Sequence, residues 1–144
     1  MNVYADTSVF IAWFHPADAF AKQVTPWVQE NVTDFCWNSV LRNEVRHNLR
    51  QLEGTYARLA WNGLRAAENT GRLTMGMQKF HQLLEAADDL SAERAQSIPA
   101  GTWDYFHVAA ALAAGADCFT TCDQLQANLA KASEGFSQVK LFKD

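Results

Sequence analysis

Residues 102–123 read TWDYFHVAAALAAGADCFTTCD, and this stretch determines the expected fold. Its alanine-rich part predicts a helix with a small face that packs closely on a sheet. Gly115 is typical of a helix end, because glycine tolerates the left-handed conformation found there. Residues 118–122 are short, apolar and rich in β-formers, which predicts a buried strand. One carboxylate, Asp104, therefore opens a helix, and another, Asp123, closes a strand.

The N-terminus repeats this arrangement of a strand followed by an acid. Residues 2–5 favour a strand, Asp6 follows it, and Thr7 or Ser8 is a candidate cap for the next helix. Open α/β sheets bind ligands at the carboxyl ends of their strands, which is where this pattern puts Asp6. A purely structural role as a helix cap explains Asp6 equally well, so both interpretations stay open.

The rest of the chain alternates helical and strand patterns. Pro16 predicts the start of a second helix, residues 35–37 a second strand, and residues 74–90 a helix. Thr102 is the expected cap of the helix that contains Asp104. The order predicts an α/β fold, a three-layer α/β/α sandwich with a central, mainly parallel sheet, in a single domain over residues 1–144.

A helix expected from Ser39 contributes a further acid. Glu44 lies on one flank of its apolar stripe, whereas Arg42, Arg46 and Arg50 lie toward the other flank and solvent. From the helix pattern alone, Glu44 reads as an ordinary surface glutamate. The arginines form either a solvated face or a surface for phosphates.

Composition restricts the class of protein. Apolar residues make up 49% and charged residues 19%, which indicates a folded chain. The sequence has no apolar run of the roughly 18 residues that a membrane helix needs, and no basic region typical of a signal peptide. Three cysteines are expected to be reduced thiols in a cytoplasmic protein. The net charge of −4 argues against nucleic-acid binding by bulk positive charge, but allows an enzyme with its acids in one pocket.

Asp6, Glu44, Asp104 and Asp123 have a shared chemistry if they converge. Carboxylates at one sheet edge repel each other and have raised pKa values unless a cation binds. Oxygen-only ligands suit Mg²⁺ or Mn²⁺, which activate water and stabilise the charged oxygens of a phosphodiester during cleavage.

Four motifs together resemble the PIN-domain family and, within it, VapC-type toxin ribonucleases. The motifs are YADTSVF at residues 4–10, NEV at 43–45, DYFHVAAA at 104–111 and FTTCD at 119–123. The resemblance implies a divalent-metal-dependent endoribonuclease, the toxin of a type II toxin–antitoxin pair. It also implies a homodimer and a small antitoxin partner that blocks the site.

The resemblance further assigns roles to residues of this chain. Asp6, Asp104 and Asp123 would bind Mg²⁺ or Mn²⁺, and Glu44 would complete the site or orient the water. Thr7 and Thr121 match positions where the family often has a hydroxyl beside the acids. One departure follows Asp123, where Gln124 and Leu125 stand in place of the family's common acid and phenylalanine.

Two other functions remain as alternatives. An aspartyl-phosphate phosphatase or receiver domain also uses an aspartate at a strand end. The phosphatase, however, requires a second acid two residues after the first, where Ser8 stands. The receiver requires a lysine at the end of a late strand, and no lysine lies between Lys79 and Lys131. The second alternative is a non-catalytic binding module of the same fold, although none of the four acids is missing. His107 lies three residues after Asp104, on the same helix face. It is expected to be a packed core histidine, and the alternative is that it touches the site.

Overall fold

Five short strands form the single sheet of the computed structural model, which describes all 144 residues. The strands are β1 (Asn2–Ala5), β2 (Asp34–Trp37), β3 (Leu73–Met75), β4 (Cys118–Thr121) and β5 (Gln138–Leu141). Their order across the sheet is β3-β2-β1-β4-β5, and every neighbouring pair is parallel. The expected parallel sheet is therefore confirmed.

Seven helices flank the sheet and complete the expected three-layer α/β/α sandwich. Helices α1 to α4 pack on one face, and α5 to α7 lie on the other, as right-handed crossovers between parallel strands require. The helices are α1 (Thr7–Phe14), α2 (Ala21–Asn31), α3 (Ser39–Arg50), α4 (Ala57–Asn69), α5 (Phe80–Arg94), α6 (Thr102–Ala113) and α7 (Gln124–Ala132). None of them combines the length and the apolar character that crossing a membrane requires.

Aromatic side chains on alternate strand positions bind the layers together. On one face, Phe10 of α1 packs on Phe35 of β2, with ring centroids 4.9 Å apart, and contacts Trp37 edge-on at 5.1 Å. On the other face, Tyr4 of β1 stacks on Phe119 of β4 at 5.8 Å beneath α6. Because successive side chains of a strand point to opposite faces, β1 contributes to both halves of the core.

The region of residues 74–90, which the sequence pattern predicts as one helix, begins instead with an edge strand. β3 has only three residues, and Met75 is 50% exposed, so it lacks both the length and the apolar alternation that identify a strand. Helix α5 starts at Phe80. The prediction was wrong for the first residues of this segment, because strand pairing with β2 decides their conformation.

Three predicted helix starts also differ from the structure. Helix α2 begins at Ala21, not at Pro16, which lies in a turn. The N-cap of α6 is Gly101 in place of Thr102, and the N-cap of α1 is Asp6 in place of Thr7 or Ser8. In both cases a carboxylate accepts the free backbone N–H groups of the helix start, a role that short hydroxyl side chains also fill.

The carboxyl edge of the sheet is where helices begin. Asp6 and Asn38 directly follow β1 and β2, Asp123 lies two residues after β4, and each is the N-cap of the helix that comes next. Three neighbouring strands thus deliver three polar side chains and three helix N-termini to one edge, the position where open α/β sheets bind ligands.

Candidate active site

Asp6 is the most buried of the four candidate acids, with a relative exposure of 9%. Its Oδ1 accepts hydrogen bonds from the backbone N–H of Ser8 at 2.9 Å and of Val9 at 3.4 Å, and also from the Ser8 hydroxyl. Its Oδ2 accepts from the Thr121 hydroxyl at 2.9 Å. Asp6 is therefore both the cap of α1 and part of a polar cluster at the end of β4.

Thr121 connects Asp6 to Asp123. Its hydroxyl oxygen, which donates to Asp6, accepts the backbone N–H of Asp123 at 3.0 Å. Asp123 caps α7 through its Oδ1, which accepts the backbone N–H of Gln126 at 2.8 Å. The structure thus brings Asp6, Thr121 and Asp123 into one hydrogen-bonded group, in agreement with the expected place of Thr121 beside the acids.

Asp104 lies in the first turn of α6. Its Oδ2 accepts the backbone N–H of Gly101 at 3.0 Å, which closes the start of the helix. Negative charge is favourable at this position, because the N-terminal end of a helix carries partial positive charge. One turn further along α6 lies His107, whose side chain faces the interior.

Glu44 of α3 meets His107 of α6. The Glu44 Oε1 lies 2.5 Å from the His107 Nε2, with the side chain of Glu44 36% exposed and that of His107 4% exposed. The expected burial of His107 is therefore correct, and its reach toward the acids is realised through Glu44. The sequence pattern that places Glu44 on the helix flank did not indicate this partner.

Two more polar side chains extend from His107 toward the sheet. The Tyr4 hydroxyl lies 2.7 Å from the His107 Nδ1, and the Asn38 Nδ2 donates to the Tyr4 hydroxyl at 2.9 Å. Sequence reasoning missed both residues. The only sequence signal was the position of His107 one helical turn after Asp104, since Tyr4 reads as a core residue and Asn38 as a cap.

Burial sets the charge state of the polar groups below α6. It raises the pKa of the Tyr4 phenol, so this group stays protonated. Burial also raises the pKa of Asp6, whereas the hydrogen bonds from Ser8 and Thr121 and the nearby His107 lower it. The hydroxyl donors thus stabilise the ionised form of Asp6 against the cost of its burial.

Thr121 links Asp6 to Asp123, and Glu44 contacts His107 of α6, the helix whose first turn contains Asp104. No three His, Cys, Asp or Glu side chains lie close enough together to hold one metal ion. The donor chemistry nevertheless fits a hard cation such as Mg²⁺, because every candidate ligand is an oxygen. Glu44, Asp104 and Asp123 each have one carboxylate oxygen without a protein hydrogen bond.

Thr7, the other expected accessory residue, does not contact the acids through a hydrogen bond. Its hydroxyl oxygen is buried and has no hydrogen-bond partner, although it directly follows Asp6. A buried hydroxyl without a partner is energetically costly in water-free surroundings.

A cationic surface lies on α3 and α4. The guanidinium groups of Arg46 and Arg50 lie over the ring of Trp61, at 4.8 Å and 5.0 Å from its centroid. Arg42 pairs with Glu68 at 3.0 Å, and Arg46 approaches the same glutamate at 3.9 Å. This surface, here called the arginine face, is formed by Arg42, Arg46, Arg50 and Trp61, and it shares α3 with Glu44.

Comparison with known proteins identifies the family. Residues 3–132 match the PIN domain family, a span that covers all four candidate acids. The chain belongs to the PIN domain family. PIN domains are generally nucleases and typically depend on divalent metals. Membership of the family therefore supports hydrolase activity in general.

The fold of this PIN domain is shared with a solved structure. The crystal structure of FitAcB from Neisseria gonorrhoeae aligns with a TM-score of 0.63 and 13% sequence identity, over 97% of this chain and 96% of that chain. At this identity the likeness establishes the fold alone. No curated protein sequence matches the chain significantly.

Proposed function

We propose that this PIN domain is a divalent-metal-dependent endoribonuclease that hydrolyses RNA phosphodiester bonds, and the toxin of a type II toxin–antitoxin pair. The observation that carries the proposal is the set of carboxylates at the carboxyl edge of the sheet. Glu44, Asp104 and Asp123 keep an unshared carboxylate oxygen, and the buried Asp6 is linked to Asp123 through Thr121.

In this proposal Asp6, Asp104 and Asp123 hold Mg²⁺ or Mn²⁺. Such an ion, when bound, activates water and stabilises the negative charge on phosphate oxygens. Thr121 keeps Asp6 oriented and favours its ionised form by donating to Oδ2. Glu44 orients the attacking water by accepting a hydrogen bond from it through Oε2, the oxygen that His107 does not contact.

An RNA substrate is supported by the charge of α3, α4 and the segment between them. Residues 39–72 contain six arginines and three glutamates and neither lysine nor aspartate, in a chain with a net charge of −4. The positive charge is thus concentrated on one region that also carries Glu44. Arginines stacked on an aromatic ring suit a nucleic acid strand, because they pair with phosphates and the ring stacks on bases.

The antitoxin partner and the homodimer are further parts of the proposal. They follow from the resemblance to VapC-type toxins, and uncovered apolar surface supports burial against another chain. Met77 is 93% exposed, Phe80 51% and Trp103 49%. Exposed apolar side chains that lie close together mark interaction surfaces more often than free surface. Light scattering of the purified chain tests the homodimer, with a single-chain mass as the contradicting result.

The nuclease proposal is tested by incubating the purified chain, free of any partner, with a pool of structured RNAs and Mg²⁺, Mn²⁺ or EDTA. We expect discrete cuts with metal, none with EDTA, and none by Asp104→Asn. Asn in this position still accepts the Gly101 N–H, so the variant keeps the helix start.

Asp117→Asn is the matched control. Asp117 precedes β4 at the opposite edge of the sheet, where its carboxylate accepts the Asn2 N–H at 3.0 Å. Equal cutting by the wild type and by Asp104→Asn would overturn the assignment of the acids. A folded chain that binds Mn²⁺ and cuts no RNA would instead be the binding module considered from the sequence.

A further inference from the structure

We propose that Asn38, Tyr4 and His107 form a one-directional chain of hydrogen bonds that fixes the orientation of Glu44. The three are positioning residues, because they act on Glu44 and not on RNA. The inference rests on the proposed function, since the orientation of Glu44 matters for cleavage only if Glu44 serves the reaction. The chain of contacts itself is independent of that function.

The direction of the chain starts at Asn38. Its side-chain Oδ1 accepts the backbone N–H of Leu41 at 2.8 Å, as the cap of α3. A backbone N–H is only a donor, so this contact fixes which end of the amide is oxygen. The Nδ2 group must then face Tyr4, where it donates to the phenol oxygen at 2.9 Å.

The Tyr4 hydroxyl accepts from Asn38 and donates to His107. Its phenol is buried and protonated, and its oxygen is already the acceptor for Asn38. The single phenol hydrogen is therefore free to donate to the His107 Nδ1, 2.7 Å away. This makes Nδ1 an acceptor without a hydrogen of its own.

His107 completes the chain at Glu44. In a neutral imidazole with a bare Nδ1, the hydrogen is on Nε2, which lies 2.5 Å from the Glu44 Oε1. With this tautomer every donor in the chain has one acceptor, and each acceptor has a donor. Tyr4 lies on the central strand β1, and His107 belongs to α6. Asn38 is the N-cap of α3, and Glu44 lies within that helix. The hydrogen bonds therefore connect a helix on each face of the sheet to its central strand.

The contact with His107 restrains only one of the two carboxylate oxygens of Glu44. A glutamate side chain that is 36% exposed on a helix flank rotates among several conformers unless a contact holds it. His107 holds Oε1 from the interior, and Oε2 has no hydrogen-bond partner in the protein. A carboxylate held in advance reacts without first being ordered, which is the advantage of orienting contacts behind a reactive group.

The first test compares Tyr4→Phe with Tyr105→Phe. Both remove the hydroxyl of a buried tyrosine. The Tyr105 hydroxyl, however, donates to the backbone oxygen of Ile98 at 2.7 Å and takes no part in the hydrogen bonds that reach Glu44. We expect Tyr4→Phe to lower kcat by about 10- to 100-fold with little change in KM or in Mn²⁺ affinity, because Glu44 acts on the water and the other three acids hold the metal. We expect Tyr105→Phe to stay within about twofold of the wild type, because its target is a backbone oxygen remote from Glu44.

The second test reverses the direction of the hydrogen bonds between position 38, Tyr4 and His107, and it needs neither metal nor RNA. Asn38→Asp keeps the cap of α3, because a carboxylate accepts the Leu41 N–H as well as an amide does. Its second oxygen is an acceptor, so Tyr4 donates to it and presents only lone pairs to His107. In ¹⁵N NMR spectra of the imidazole, we expect an unprotonated Nδ1 in the wild type and a protonated Nδ1 in Asn38→Asp.

The outcomes separate this inference from the proposed function. A protonated Nδ1 in the wild type, or an Nδ1 that is unchanged in Asn38→Asp, contradicts the proposed direction of the hydrogen bonds, whether or not the protein cuts RNA. Cleavage by the wild type with equal kinetics in Tyr4→Phe and Tyr105→Phe overturns the positioning role and leaves the nuclease intact. The wild-type spectrum requires no variant to fold, and circular dichroism checks the folding of the others.

Discussion

The hydroxyl of Thr121 and the carboxylate of Asp6 lie 2.9 Å apart, although 115 residues separate them in the sequence. The β1–β4 ladder continues past β1 to create this contact, since the Asp6 N–H donates to the Thr120 oxygen at 3.0 Å. The parallel pairing of two strands thus sets the distance between an acid and the hydroxyl that supports its charge.

Thr121→Val removes this hydroxyl with little change of shape. We expect the free energy of unfolding to fall by about 1–3 kcal/mol, because the Asp6 carboxylate, the Asp123 N–H and the buried Gln126 side chain each lose a partner. Mn²⁺ affinity, measured by calorimetry, should fall as well, since the ionised form of Asp6 loses a donor. Thr120→Val is the control, because its hydroxyl donates to the Lys140 oxygen at 3.0 Å and touches no acid. Equal losses of Mn²⁺ affinity in both variants would contradict the role given to Thr121.

Asp6→Asn should stabilise the metal-free protein at neutral pH. Burial raises the pKa of Asp6 in the folded state, so the fold favours the protonated acid and the charged acid destabilises it. Stability associated with the protonated form is complete below the ordinary pKa of 3.8 and is lost as the pH rises through the folded value. We expect a gain of at least about 1 kcal/mol at pH 7 that shrinks toward pH 4, measured by urea unfolding across that range. A gain that is constant with pH would refute this explanation.

Divalent metal should raise the melting temperature of the wild type at neutral pH. An ion that binds only the folded state stabilises it by about 2.7 kcal/mol when its free concentration is a hundred times the dissociation constant. Because Asn at position 104 still accepts the Gly101 N–H and Asn at position 123 still caps α7, Asp104→Asn and Asp123→Asn should fold and show a smaller shift. The readout is differential scanning calorimetry with Mg²⁺, Mn²⁺ or EDTA. Shifts of equal size in the wild type and in both variants would show that the metal binds elsewhere.

Arg50→Gln should weaken RNA binding without affecting the acids. Arg50 is exposed and stacks on Trp61 without an ion pair, so its charge is available to a phosphate. The loss of one phosphate contact should lower the slope of log affinity against log salt by about 0.7 for a single strand. Lys131→Gln, on the exposed side of α7, is the control for a change of net charge. Binding by an uncleavable analogue, measured over a salt series, gives the slopes, and identical slopes in the two variants would exclude Arg50 as a contact.

Local sequence predicts the parts of the fold in which each element carries its own signal. β1 and β4 read as strands because they are short, apolar and bounded by an acid; β4 is buried throughout, and β1 is buried except for Asn2. β3 carries no such signal, since Leu73 is half-buried and the next two residues are exposed at the sheet edge. Its conformation depends on the backbone of β2, which no pattern within residues 73–75 contains.

The same distinction applies to the site. Asp6 and Asp123 can be placed at one sheet edge from sequence, because parallel strands align their carboxyl ends. The partner of Glu44 cannot be placed in this way, since His107 is 63 residues away and on a helix that packs on the other face. The contact depends on where α3 and α6 meet across the sheet edge, which is a property of tertiary packing.

The use of aspartates as helix caps has a consequence for how such genes change over time. A single-base substitution converts an aspartate codon to an asparagine codon, and asparagine is an equally good cap. A lineage can therefore lose the charge of Asp6 or Asp123 in one mutational step and still inherit a folded PIN domain. PIN domains that lack such a charge are therefore one base substitution away, and reversion by the same step restores the acid.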